Sequence, residues 1–270
     1  RVFHTRPSLE AVQEAVTKQF HSGEGAIQFA PEAIARSNAD LLTTAELRQE
    51  FQEIYCEQGR QEAGRWLQLN HPEITEAELE HRLGRYGLNP CGEILGADFH
   101  CNLAEVHLNR LDPDDLEGQS DAFRAAGLSV ACLLNHRFEV ERYRQSRAWD
   151  PIVGVSFTGL FDFFVHAFGT PWLEWWAAGR PETAEGLAFK EQEAAFLARW
   201  KTTVNEAVWD YCDRHGLRRP NRCTTVQPAG TKSLLTGAAP GWHPPKAQRF
   251  IRRITFRKND PVALACMDYG

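Results

Sequence analysis

The chain has 270 residues, 43% of them hydrophobic and 24% charged, which suits a folded chain with a sizeable core and rules out a disordered or collagen-like one. Its 30 Lys and Arg against 36 Asp and Glu give a formal net charge of -6, which argues against a general affinity for nucleic acid or other polyanions. Seven cysteines, no two in a C-x-x-C pair, suit neither a secreted disulfide scaffold nor a structural zinc site, and a reducing cytoplasm is the default compartment. No membrane span is expected, since the most apolar stretch, 153–169, contains Ser156, Thr158, Asp162 and His166. The chain opens at Arg1, has Met267 as its single methionine and stops at Gly270. It is therefore expected to be one partial domain, 1–270, from a longer protein.

Taken in chain order, Ser8 caps a helix from Leu9 to about Phe20, with Val12, Ala15, Val16 and Phe20 on one face. Pro31 suits the first turn of a second helix, Thr43 with Glu46 forms a capping box for a third, and Thr75 with Glu78 opens a fourth that ends near 84–87. The turn-rich stretch 88–97 reads as a loop, and 101–108 alternates like a half-buried strand. Helices are expected over 114–147, a strand or a helix over 152–165, and a long helix over 185–215. That long helix keeps Leu197, Trp200, Val204, Val208 and Tyr211 on one face, and Gly216 and Pro220 stop it. The segment 223–227 is short and β-branched, and 228–233 reads as a turn feeding a helix start.

Asn89, Cys91 and Glu93 alternate, and in extended backbone residues two apart face one side. An amide, a thiol and a carboxyl along one pocket wall suit thiol chemistry assisted by a general base. The alternative is a small buried cysteine beside a solvated glutamate. In Pro228-Ala229-Gly230-Thr231-Lys232-Ser233, unpaired backbone N–H groups at a helix start, with the hydroxyls of Thr231 and Ser233, suit an anion; a plain helix cap is the alternative. The basic tail (Lys246, Arg249, Arg252, Arg253, Arg257, Lys258) suits a solvated surface better than a phosphate site. Trp172, Trp175 and Trp176 suit a core, and His243 between Trp242 and two prolines has no ligand geometry.

Asn89-Pro90-Cys91-Gly92-Glu93 followed by Cys101-Asn102-Leu103 resembles the finger-loop signature of the ribonucleotide reductase catalytic subunit. Gly23-Glu24-Gly25, the stretch Gly154-Val155-Ser156-Phe157-Thr158-Gly159-Leu160-Phe161-Asp162 and the 227–233 turn resemble further elements of that family, in the family's order. The wording around them is most similar to the monomeric class II enzymes, which use adenosylcobalamin and reduce ribonucleoside triphosphates.

The resemblance implies an α/β fold, helix-rich, forming about the second half of a ten-stranded barrel with the finger loop, about 88–101, through its centre. It implies that Cys91 carries a thiyl radical, Glu93 accepts the 3′-hydroxyl proton and Asn89 holds the ribose hydroxyls. Cys101 becomes one of the two reducing thiols, while Cys56 and Cys266 match no family position. Pro228, Ala229, Gly230, Thr231 and Ser233 become the substrate phosphate turn, with Ala229 in place of the commoner serine. Implied partners are a ribonucleoside triphosphate, thioredoxin or a similar reductant, and deoxynucleotide effectors bound by regions outside this chain, with no membrane or nucleic acid. This stretch alone is not expected to turn over. Two other readings stay open: a class I-type ribonucleoside-diphosphate reductase large subunit, and a non-catalytic nucleotide- or phosphate-binding fragment.

Overall fold

The computed structural model describes residues 1–23, 27–245, 247, 249, 251 and 255–269. Its first layer is helical. Strand β1 (Val2–Phe3) leads to α1 (Leu9–Ser22), capped as expected by Ser8, whose Oγ accepts the Ala11 N–H. Strand β2 (Gln28–Phe29) pairs in parallel with β1 and runs into α2 (Ala30–Ser37), which has Pro31 in its first turn. Then come α3 (Ala45–Gln58), α4 (Arg60–Asn70) and α5 (Glu76–Gly84). Two expectations change here. The cap of α3 is Thr44, not Thr43, because its hydroxyl is the one that accepts the Leu47 N–H, at 3.2 Å. The expected third helix is also followed by a separate one, α4, because Gly59 takes φ 90 and breaks the run. Ile34, Leu42, Phe51, Ala63 and Leu67 form this layer's core. The apolar face expected on α1 is left largely uncovered: Val16 and Phe20 are exposed and only Ala15 is buried.

Strands β3 (Tyr86–Leu88) and β4 (Leu95–Ala97) pair antiparallel, so most of the loop expected over 88–97 is a hairpin with its tip at 89–94. The second layer follows: β5 (Leu103–His107), α6 (Leu116–Cys132), α7 (Glu141–Trp149), β6 (Ile152–Thr158), α8 (Leu160–Ala177), α9 (Ala184–Arg214) and β7 (Arg222–Thr224). A four-residue 3-10 turn at Lys232–Leu235 and α10 (Pro261–Tyr269) follow. The ambiguity over 152–165 resolves at Gly159, whose φ of 75 separates a strand from a helix.

Strands β5, β6 and β7 form one parallel sheet in that order, with Leu103 opposite Gly154 and Val155 opposite Thr224. Helical crossovers join the strands, as parallel pairing requires. The central strand β6 is buried along nearly its whole length, which explains its unbroken apolar run. Val153 and Val155 share a core with Trp200, Val204 and Val208 of α9 and with Phe123 and Val130 of α6. Trp172 and Trp175 are buried in it as expected; their Nε1 groups donate to Glu193 Oε1 and Pro181 O at 2.8 and 2.9 Å. The architecture is a helix-rich α/β fold. The described residues form three parallel strands and two two-stranded pairs, and do not close a barrel. None of the helices is long and apolar enough to cross a membrane.

One ion network joins the two layers. Arg82 of α5, 2% exposed, donates to both oxygens of Asp40 at 3.1 and 2.9 Å, to Glu78 at 2.8 Å and to the Trp149 carbonyl at 3.1 Å. Beside that carbonyl, Asp150 pairs with Arg222 of β7. Burial pushes the Asp150 carboxyl up to about 6, against the attraction of Arg222.

Removing one partner from such a buried network strands the others, so Arg82→Met should destabilise the protein by about 3–5 kcal/mol in urea unfolding. Asp150 gives a second, signed expectation. Its folded value lies above the unfolded one, so its stabilising contribution is complete below about pH 4 and is lost as pH rises through 6. Wild type should therefore lose stability relative to Asp150→Asn between pH 4 and 7, by up to about 3 kcal/mol. Parallel pH curves for the two proteins would contradict this.

Candidate functional site

Because β5, β6 and β7 are parallel, their carboxyl ends point the same way, and the chain after β7 folds over them. Leu103, Glu105 and His107 stand in register with Gly154, Ser156 and Thr158, so these six share one face. Polar groups on that face fasten the following segment. Ser156 Oγ accepts the Gln227 N–H at 2.8 Å, and Thr158 Oγ1 donates to Ala239 O at 3.1 Å and accepts the Gly241 N–H at 3.0 Å. His107 Nδ1 lies 2.7 Å from Thr236 Oγ1, and Asp162 accepts the Ala239 N–H at 2.6 Å.

The β3–β4 hairpin lies on the same sheet. Gly96 is in van der Waals contact with it: a Cβ there would lie 2.6 Å from Ile152 Cδ1. At the tip, Gly92 N–H donates to Asn89 O at 3.0 Å, closing a β-turn with Pro90 second, Cys91 third and Gly92 fourth. Proline's fixed φ, and glycine at φ 81, favour this turn. Residues 89–93 are therefore a tight turn, not the extended segment expected from their alternation. Asn89 Oδ1 accepts the N–H groups of Glu93 and Ile94, both at 3.1 Å, so this amide builds the tip. From β7's side, Thr225 Oγ1 donates to Glu93 O at 3.0 Å and Arg222 Nη1 donates to Leu95 O at 2.6 Å.

The turn nevertheless gathers the expected groups. Both carboxylate oxygens of Glu93 are buried and have no hydrogen-bond partner among the described residues. Burial pushes the Cys101 thiol up, and the negative charge of Glu93 and the Cys91 thiol push it further; Lys232 and a hydrogen bond from Asn89 oppose them. Asn89, Cys91, Glu93 and Lys232 thus all act on the Cys101 thiol. Cys91 and Cys101 are both exposed, so the enclosed pocket wall expected around the sulfur is not formed by the described residues.

The 228–233 segment differs from expectation in two ways. The expected helix start is only a four-residue 3-10 turn, so no helix dipole faces an anion there. The hydroxyl of Ser233 is buried and donates to Gly230 O at 2.8 Å within the turn itself. Ala229 is buried with φ 51, a strained value for a residue with a Cβ. Pro228, Gly230 and Thr231 are exposed, and the Gly230 and Thr231 amides have no partner among the described residues. Lys232 turns inward: its Nζ lies 2.9 Å from Glu105 Oε2, whose side chain is 4% exposed, and also contacts Gln227 Oε1.

Sequence reasoning missed Arg222, Thr225 and Glu105. The only sequence signal for them was the alternating run 101–108 around Glu105 and the short β-branched run 223–227 beside Arg222. Of the Gly23-Glu24-Gly25 element, Glu24 and Gly25 lie outside the described residues, as do Lys246, Arg252 and Arg253 of the basic tail; Arg249, Arg257 and Lys258 are exposed. His243 Nδ1 lies 3.2 Å from Pro244 O, and no group of three His, Cys, Asp or Glu side chains is placed to hold a metal among the described residues. An apolar cleft of about 540 Å³, lined by Phe123, Phe157, Trp200 and Trp242, lies on the sheet's helical side and offers only Lys201 as a charged group.

No family model matches the chain. Among curated proteins it is 30% identical over 191 residues to an adenosylcobalamin-dependent ribonucleoside-triphosphate reductase of Levilactobacillus brevis, covering 68% of this chain and 25% of that protein. It is also 30% identical over 223 residues to the protein of that name from Lacticaseibacillus paracasei, covering 74% and 29%. A crystal structure of a B12-dependent (class II) ribonucleotide reductase overlaps 59% of this chain and 23% of that one, at 25% identity and a TM-score of 0.44, too slight to assign a fold. The resemblance seen in the motifs is borne out by these relatives, and the chain spans a quarter to three tenths of the length of the curated ones.

The electrostatics make Cys101 a probe of the site. Glu93→Gln removes a charge that raises the Cys101 thiol, so iodoacetamide should alkylate Cys101 faster at pH 7.5, about 2- to 5-fold by peptide mass spectrometry. An unchanged rate would mean that the two side chains are not neighbours.

Proposed function

We infer that this chain, a relative of the adenosylcobalamin-dependent ribonucleoside-triphosphate reductases, carries the thiol hairpin and the phosphate turn of an enzyme that reduces ribonucleoside triphosphates to 2′-deoxyribonucleotides. One observation carries the reading: a buried carboxylate with no hydrogen-bond partner among the described residues, Glu93, held two residues from a thiol in a hairpin docked on a parallel sheet. A buried, unpaired carboxylate costs free energy, and such groups persist where a bound molecule supplies the missing partner. In this reading β5, β6 and β7 are consecutive strands of a ten-stranded barrel, with the 88–101 loop threading its centre.

Adenosylcobalamin fits in one respect: the Cys91 sulfur stands at an open tip, where it can be reached from outside. When bound, the cofactor supplies a carbon-centred radical that can take a hydrogen atom from a thiol. The chain's own residues do the rest. Cys91, as a thiyl, takes the hydrogen atom from ribose C3′, because S–H and ribose C–H bonds are of comparable strength. Glu93 accepts the 3′-hydroxyl proton, which eases loss of the 2′-hydroxyl as water. With Asn89 Oδ1 occupied by backbone, its Nδ2, which also bonds the Cys101 thiol, is the group that steers a ribose hydroxyl. Cys101 and a second thiol then deliver two electrons and two protons, one leaving with the 2′-hydroxyl as water and the other ending on C2′, and become a disulfide, which thioredoxin or a similar reductant reopens; Cys91 returns its hydrogen atom to C3′. The free amides of Gly230 and Thr231, the Thr231 hydroxyl and the nearby Lys232 suit the substrate phosphates, alongside Pro228, Ala229 and Ser233, which shape the turn. Deoxynucleotide effectors would bind elsewhere in the protein, and the compartment is the cytoplasm.

The test is Cys91→Ser in the intact protein that carries this chain. Deoxynucleotide formation should fall by at least about 1,000-fold while nucleotide affinity stays within two-fold. Product formation at the wild-type rate would favour a binding module with structural cysteines.

A further inference from the structure

The grip of β7 on the hairpin is more specific than docking requires. Thr225 and Arg222, three residues apart, donate to the carbonyls of Glu93 and Leu95, two residues apart, at 3.0 and 2.6 Å. These are the carbonyls of the candidate base and of the first residue of β4, so the two bonds fix both the height and the tilt of the tip. The anchors differ in kind. Thr225 is part of the sheet itself, since its N–H donates to Val155 O at 3.0 Å. Arg222 reaches out with a long side chain, 20% exposed, whose guanidinium is aimed by the carboxylate of Asp150.

We propose that Arg222, aimed by Asp150, is a positioning residue that sets Cys91 and Glu93 against the sheet. The inference rests on the reductase reading for its catalytic consequence, but not for its structural one. Asp150 lies just before β6, and the charged groups acting on it come from four places: Arg222 on β7, Asp40 after α2, Arg82 on α5 and Arg218 after α9. Loss of charge at Asp150 frees one guanidinium nitrogen of Arg222, and with it the geometry that points the other at Leu95 O. The upward shift of this carboxyl to about 6 places that loss just below neutrality.

Two measurements test the proposal. In the intact protein that carries this chain, hydrogen exchange is followed in a peptide spanning 88–97 and in one from α9. Arg222→Met should speed exchange in the hairpin by at least 10-fold and leave α9 unchanged, while Arg222→Lys recovers part of the protection. Asp150→Asn at pH 7 should exchange in the hairpin as wild type does at pH 5, after correction for intrinsic amide rates. In the intact protein, Arg222→Met should lower kcat at least 10-fold with KM within two-fold, and Arg222→Lys should restore part of kcat. Thr225→Val, which keeps the shape and removes one hydroxyl, provides a second route to the same hairpin signature if Arg222→Met fails to fold. Unchanged hairpin exchange, or exchange rising equally in α9, overturns the positioning role. A loosened hairpin with unchanged kcat, in a protein where Cys91→Ser abolishes turnover, overturns its catalytic consequence alone. If Cys91→Ser leaves turnover intact, the reductase reading falls while the exchange result still decides the positioning role.

Discussion

Two hydrogen bonds from β7 to alternate carbonyls of the hairpin determine where the thiol and the carboxylate stand. The tip itself is a self-contained turn, built by Pro90, Gly92 and the Asn89 amide. Its shape is therefore local, but its position is not. Without Thr225 and Arg222 the same turn could rock on its two short strands, each three residues long. For the proposed reaction, rigid placement matters because a reacting group displaced by about an ångström loses much of its effect.

The placement is maintained against unfavourable electrostatics. Glu93 is buried with no hydrogen-bond partner among the described residues, Asp150 is buried far enough to raise its carboxyl, and Glu105 sits almost fully buried against one lysine. Each burial lowers stability and each has a geometric result: a carboxylate open to a ligand among the described residues, an aimed guanidinium and a turn pulled down onto β5. Buried ion pairs are weak sources of stability in general, and their use here is registry. The apolar cores beneath, around Trp200 and Phe51, provide the compensating stability.

The same ion network extends to the first layer. Arg82 bonds to Asp40, to Glu78 and to the carbonyl next to Asp150, so the helices before the hairpin and the sheet after it meet at one set of charges. The hairpin joins those layers in sequence, and His81 of α5 also lies 3.2 Å from the Ala97 carbonyl at its end. A change in how the layers pack would therefore be felt at the thiol.

The sequence by itself determined the local structure. Ser8 and Thr75 mark helix starts because each cap is a bond between residues three apart. The alternation after Cys101 and the helical face of Trp200, Val204 and Val208 mark the strand and the long helix for the same reason. The cysteine and glutamate motif was legible as residue types with a chemistry and a family likeness. Tertiary structure alone decided two things: that Lys232 bends toward Glu105, and that Arg222 and Thr225 hold the hairpin. These contacts join residues more than a hundred positions apart. No local pattern encodes such pairings, because they exist only once the sheet has fixed which strand ends meet. The site is thus written in short-range motifs, and its geometry is set by long-range bonds.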